Sequence, residues 1–502
     1  MSSRPLSSLM LMVVSAGMAV AALVAGTPAR ATPDGPLRLE RDVELDTRLT
    51  QRARYSLERM PLVDGQSRPR HVSASMDIAK GVITVRLDRS FLPADYGPAF
   101  EDQRSIINNG LIHEAEQFAP VNAVKYLYDG KDVDHYFPEI KAADDAAREA
   151  GERRRQGGGG AGMAFVAAGH GYFLSHRTNA WVTTRDEHHG VNEGLLTPLY
   201  AAELKGLVEA RSHMPVVRPR VQDAGPIHED SGFEWWTMAA RYAIARQYPG
   251  ETSIWNTYAG STLWDREERE DINSRPMLAN HLNADVAIHL HSNADDNGTA
   301  RGARVITQPG RAVDHALGRS VLCSMKEAIQ SQPGYESFVV APAPHEENKG
   351  ENREAKMPSI IVETAFHTHP DDARALLDPV FRTAAMKGVE KGYRLWAAGK
   401  ACEPLVGERI ARVSLPSGGA EDVEVAFKGN PEYPLRLVTV SAHCPPGWTC
   451  TEGTRTIASP DQPHAIRLSC GAEAVGTLTW NTHIVDADGV ASAPVLHLVN
   501  CG

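Results

Sequence analysis

Apolar residues alternate at Ile83, Val85 and Leu87, recur at helical spacing at Ile107, Leu111, Ala115 and Phe118, and alternate again at Val124, Tyr126 and Tyr128. A period of two marks a half-buried strand and a period near 3.6 an amphipathic helix, so this stretch predicts strand, helix, strand. Farther on, Met163–Ala168 is a short apolar run ending in Gly169-His170-Gly171. A helical stripe follows at Leu196, Tyr200, Leu204 and Leu207, Asp285–His291 alternates as a strand, and Ser359–Val362 is an apolar run before Glu363. Strand-like and helix-like segments in alternation predict an α/β domain over 161–400. From about 403 the runs shorten and are split by Gly, Pro and Asn ("VEVAFKG", "LRLVTVSA", "GTLTWNT", "PVLHLVNCG"). That spacing predicts a β-sandwich, immunoglobulin-like in outline, over 401–502.

Punctuation divides the rest. Arg4, an apolar stretch from about Leu9 to Val24 and then Ala29-Arg30-Ala31 have the form of an export signal over 1–31. The stretch is shorter than the roughly 20 residues of a spanning helix, and no later run is longer. The expected location is secreted or periplasmic. Residues 32–140 form a small α+β module without a catalytic cluster; with its "YDGK" turn it resembles the GerMN module, which implies a binding or positioning role. Residues 141–160, Ala- and charge-rich through Arg153-Arg154-Arg155 and then Gly157 to Gly160, are expected to be a linker, since consecutive glycines lose much freedom on ordering.

The formal charge of −11 argues against nonspecific nucleic-acid binding. Six cysteines in an exported chain favour disulfides over metal thiolates. Proximity suggests Cys444 with Cys450 and Cys470 with Cys501; Cys323, in a helical pattern, is a buried or bridged thiol.

In open α/β sheets, sites form beyond the carboxyl ends of the strands. His170, His291 and Glu363 each fall at such an end. Two histidines and carboxylates are the donor types of a catalytic zinc, with a further carboxylate to move protons. His289 shares the strand face of His291 and competes with it as a candidate ligand. His188-His189 and His367/His369 lack a partner set and are expected at the surface, and Asp295-Asp296 in a turn.

The blocks "AGHGY", "NEGLLTPLYAAELKGLVEA", "INSRPMLANHLNADVAIHLHSNAD" and "MPSIIVETAFHTHPDDARALL", in that order over about 165–395, resemble the zinc amidases of the Amidase_3 family. The resemblance implies a three-layer α/β/α fold and Zn2+ held by His170, Glu193 and His291. It further implies Glu363 as the catalytic carboxylate, Arg275 near the oxyanion and Asn280 in support. The implied substrate is peptidoglycan, cut between N-acetylmuramic acid and L-alanine. Other readings are an exported zinc peptidase acting within stem peptides and a non-catalytic wall-binding protein; a need for a protein activator stays open. Two features depart from compact members. The stretch "YFLSHRTNAWVTTRDEHHGVN" separates His170 from Glu193, and 213–270 adds Trp235, Trp236, Trp255 and Trp264, which either wall the cleft or fill core. Thr197 as N-cap with Pro198 at the first helical position would leave Glu193 in a loop, whereas a helix from about Asn192 would carry Pro198 inside.

Overall fold

The computed structural model describes residues 42–156 and 160–502. The expected signal and Gly157 to Gly159 lie outside the described residues, as do the side chains of Arg154 and Arg155. Among the described residues, eleven strands precede the C-terminal domain: β1 (Val72–Asp77), β2 (Val82–Leu87), β3 (Ala123–Tyr128), β4 (Ala164–Ala168), β5 (Tyr172–Ser175), β6 (Ala180–Thr183), β7 (Val216–Val217), β8 (Val286–Asn293), β9 (Arg304–Thr307), β10 (His345–Glu346) and β11 (Ser359–Phe366). All but the hairpin β5–β6 join one sheet, in the order β1-β2-β3-β10-β9-β11-β8-β4-β7.

At its centre β4, β8 and β11 run parallel, with Ala168 opposite Leu290 and Glu363 opposite His291. Every residue of β8 and β11 is buried, as expected where helices cover both faces of a parallel sheet. On one face Val166, Ile288 and Val362 pack with Tyr200, Val321 and Val389 of the helices Glu193–Leu207, Ala312–Gln330 and Pro379–Ala397. On the other, Phe165 and Ala287 pack with Ile244 and Leu278 of Ala240–Gln247 and Arg266–His281. These are the three layers of an α/β/α fold.

The N-terminal residues show the expected strand, helix, strand as β2, helix Pro98–Glu116 and β3, with helix Val43–Arg59 and β1 in addition. Ile107, Leu111 and Ala115 face Val85, Tyr126 and Leu49 in one apolar cluster. Two-residue β10 bridges this cluster to the central sheet: Glu346 pairs with Ala123 of β3, and His345 with Ile306 of β9. Residues 141–156, expected as linker, continue the helix Pro138–Gln156 instead. The reason is composition: Ala, Glu and Arg are strong helix formers, Gly151 is the single glycine among them, and the glycine run begins only at 157. Of the two helix starts that the sequence left open, the structure takes the earlier: Pro198 lies inside a helix that begins at Glu193 with Asn192 as N-cap, so Glu193 stands in the first turn.

The C-terminal domain holds a five-stranded sheet built on Leu435–His443, Gly476–Val485 and Val495–Cys501, faced by the pair Ala420–Glu424 and Ala465–Ser469. Cys444–Cys450 and Cys470–Cys501 are bridged, and Cys323–Cys402 ties helix Ala312–Gln330 to the start of this domain. Asp488, buried, accepts from both arms of Arg211 at 2.7 and 2.8 Å and from Lys387 at 2.9 Å. Burial alone would raise its carboxyl, but these donors hold it down at about 2. A depressed acid stabilises the fold above its unfolded value and loses that effect as pH falls through the folded one. Asp488→Asn is therefore expected to cost about 2 kcal/mol at neutral pH in denaturant melts, the difference from wild type shrinking below pH 4 and vanishing near pH 2.

Candidate metal and active site

Three segments meet at the carboxyl ends of β4, β8 and β11. The turn Gly169-His170-Gly171 leaves β4, and His170 takes a left-handed backbone with φ 62°. The long stretch after it is the hairpin β5–β6, which returns the chain to the site so that Glu193 opens its helix. His291 lies within β8 and Glu363 beside it in β11; both strands run past the expected ends. His170, Glu193 and His291 are buried, and one ligand atom from each falls within 4.8 Å of the others.

Glu193 Oε1 is the shared atom. It accepts from His291 Nδ1 at 2.9 Å and from the Ser292 amide at 3.0 Å, and lies 3.6 Å from His170 Nε2. Donors about 2.0–2.1 Å from a tetrahedral zinc stand about 3.3 Å apart, so these spacings suit the ion, as does the His-Glu-His donor set. Glu363 is buried beside them with Oε2 unpaired, and His170 Nδ1 is also without a partner. Such orphaned polar atoms are costly unless a ligand uses the site.

The electrostatics follow from burial. His170 is pushed well below the usual imidazole range by burial and by the cations Arg185 and His291. Burial opposes a charge on His291 too, yet the carboxylates of Glu351 and Glu193 pull it up to about 10. Burial raises Glu363 to about 8, with Glu193 adding to the rise and His291 working against it.

Sequence reasoning missed Glu351. It sits in the single turn Gly350–Arg353 and its Oε2 lies 3.0 Å from His291 Nε2, on the ring edge away from Glu193. That is the carboxylate–histidine arrangement that orients metal-ligating imidazoles. Arg275 holds Glu351 through Nη1 and Asp271 through Nη2 at 3.1 Å, and is wholly buried. The run "HEENKGENRE" has no periodicity and many carboxylates, so nothing in it marks Glu351. Asn280 accepts from the Lys356 amide and donates to the Glu354 carbonyl, bracing the loop that carries Glu351 into β11.

Other expectations fare differently. His289 is buried 3.9 Å from Glu351, behind the site. His367, expected at the surface, is buried in the cavity wall with Nδ1 2.9 Å from Ser292 Oγ, because β11 carries it inward. None of the four tryptophans lines the cavity, which encloses about 150 Å³. Helix Pro98–Glu116 does, through Glu101, Asp102, Ser105 and Asn109. Asp102 pairs with Arg185 at 2.8 Å and Lys349 at 3.4 Å.

Residues 255–393 match the family model Amidase_3, described as N-acetylmuramoyl-L-alanine amidase. That stretch contains Arg275, His291, Glu351 and Glu363, while His170 and Glu193 precede it. No curated protein matches the chain. Among solved structures it is similar to the CwlD amidase from Clostridioides difficile in complex with the GerS lipoprotein, with 14% identity over 47% of this chain and 99% of that one and a TM-score of 0.32. It is similar also to the N-acetylmuramoyl-L-alanine amidase AmiC2 of Nostoc punctiforme (17%, 48% and 99%, TM-score 0.31). A third is the amidase Ami1 from Mycobacterium smegmatis (13%, 48% and 99%, TM-score 0.32). At those TM-scores the superpositions add nothing to the family match.

Glu351→Gln keeps the shape but removes the charge that orients His291. It is expected to weaken Zn2+ binding about 10–100-fold, measured by competition with a chromogenic chelator; unchanged affinity would remove Glu351 from the site.

Proposed function

We propose that this chain, whose residues 255–393 match the Amidase_3 model, is an exported, zinc-dependent peptidoglycan hydrolase of that family. The bond cut is the amide joining the lactyl group of N-acetylmuramic acid to L-alanine. The observation that carries this reading is the convergence of His170, Glu193 and His291 beside a buried, unpaired Glu363 carboxylate.

His170, Glu193 and His291 would hold the ion. Bound Zn2+ would supply a Lewis acid for the amide carbonyl and for the attacking water. Glu363 accepts the water proton on its unpaired Oε2 and delivers it to the departing nitrogen of L-alanine. Arg275 acts on the reaction through Glu351 and His291, a positioning role in place of the oxyanion contact expected from sequence, because Glu351 and Asp271 already occupy its guanidinium.

Export is supported by three disulfides, which persist in oxidising compartments, and no described helix is long and apolar enough to cross a membrane. The module before the catalytic domain, read as GerMN-like, contributes a wall of the site through Asp102 and Asn109.

The test is mass spectrometry of purified peptidoglycan digested with the zinc-loaded protein. Free peptides beginning with L-alanine, beside glycan bearing bare lactyl groups, are the expected products. Cuts within the stem would replace this reading by a peptidase. Glu363→Ala is expected to lower turnover about 10²–10⁴-fold at unchanged zinc stoichiometry.

A further inference from the structure

Arg220 is buried, 4% exposed, and among the described residues no carboxylate stands within ion-pair distance of it. Its guanidinium is spent on backbone carbonyls instead. Nη1 donates to Gly194 O at 2.8 Å, His170 O at 3.1 Å and Gly169 O at 3.4 Å, and Nη2 to Trp236 O at 2.7 Å. Two of these carbonyls belong to the turn that presents His170, and one to the residue after Glu193.

The three contacts of Nη1 answer local defects. His170 is a non-glycine residue at φ 62°, a conformation that costs about 1–2 kcal/mol and lasts only where its surroundings enforce it. Arg220 grips the carbonyls on both sides of that φ, and Thr197 Oγ donates to Gly169 O at 2.8 Å. Within the helix, Pro198 has no amide hydrogen, so Gly194 O, four residues earlier, loses its helical donor. Arg220 Nη1 supplies the missing one. The turn has no slack: a Cβ on Gly169 would stand 2.3 Å from the His291 ring.

We propose that Arg220 is a positioning residue of the metal site, whose clamp on four carbonyls sets the separation of His170 and Glu193. This rests on the zinc reading above. An arginine suits the task because its planar fork reaches several acceptors at once, which a lysine ammonium on a flexible stem does less well. A buried cation without a counter-ion is otherwise unfavourable, and here four carbonyl dipoles solvate it.

The experiment compares full-length wild type, Arg220→Met and Arg220→Lys in two readouts: zinc affinity by chelator competition, and the rise in Tm on adding Zn2+. A merely structural arginine lowers Tm equally with and without the ion. A positioning arginine shrinks the zinc-dependent rise. The expected result for R220M is zinc affinity lowered at least 10-fold, a smaller zinc-dependent rise in Tm, and partial recovery of both in R220K. A folded R220M with wild-type affinity and the full rise overturns the proposal. If R220M does not fold, R220K decides: a several-fold loss of affinity supports the clamp, and wild-type affinity overturns it. Wild type that binds no Zn2+ would instead defeat the reading of the site itself.

Discussion

Glu193 Oε1 is the atom on which the site turns. It meets His291 Nδ1, the Ser292 amide and His170 Nε2, so a single carboxylate oxygen links the turn after β4, the first turn of a helix and the end of β8. The oxygen sits there because Glu193 opens helix Glu193–Leu207, with Asn192 as N-cap. That start in turn forces Pro198 into the helix body. The cost of the proline is met from outside the helix, by Arg220 on Gly194 O. Local preference yields to the site, and a side chain from a distant segment makes good the deficit.

Burial gives these few polar groups their chemical weight. His291 sits between two carboxylates, with Glu193 on one ring nitrogen and Glu351 on the other, while Arg275 and Asp271 continue the chain of charges into the helix Arg266–His281. Each member is buried, so removing one leaves a neighbour as an uncompensated charge in a poorly polarisable interior. The same burial lifts Glu363 into a range where it can carry a proton at neutral pH. A site assembled this way is stiff, which suits a metal centre whose ligands must be held at fixed separation.

The N-terminal residues are more than an appendage. A two-residue strand, β10, continues the central sheet into β3, and helix Pro98–Glu116 walls the cavity. Its Asp102 pairs with Arg185, which itself lies 3.7 Å from Glu193. The C-terminal domain is held by different means, a disulfide at Cys323–Cys402 and the triad of Arg211, Lys387 and Asp488.

Sequence by itself determined the strands and helices that carry strong periodicity, and the rule that polar residues at parallel strand ends converge placed His170, His291 and Glu363 together. Period two in β2 and β3 and the apolar runs of β4 and of Ile360–Val362 in β11 are local consequences of facing one or two covered sides, so they are written in the run of residues. Glu193 came from a family motif, and its helix start was ambiguous because Thr197-Pro198 is itself a good local start. Only the tertiary structure decided that ambiguity, through Arg220, and only it brought forward Glu351, Arg185 and His367. Glu351 and His367 act through partners 60 and 75 residues away, and a charged residue in an aperiodic loop has the same local appearance whether it faces solvent or a buried imidazole. Sequence carries the pattern of burial along each element; which polar groups end within 3 Å of one another is set by how the elements pack.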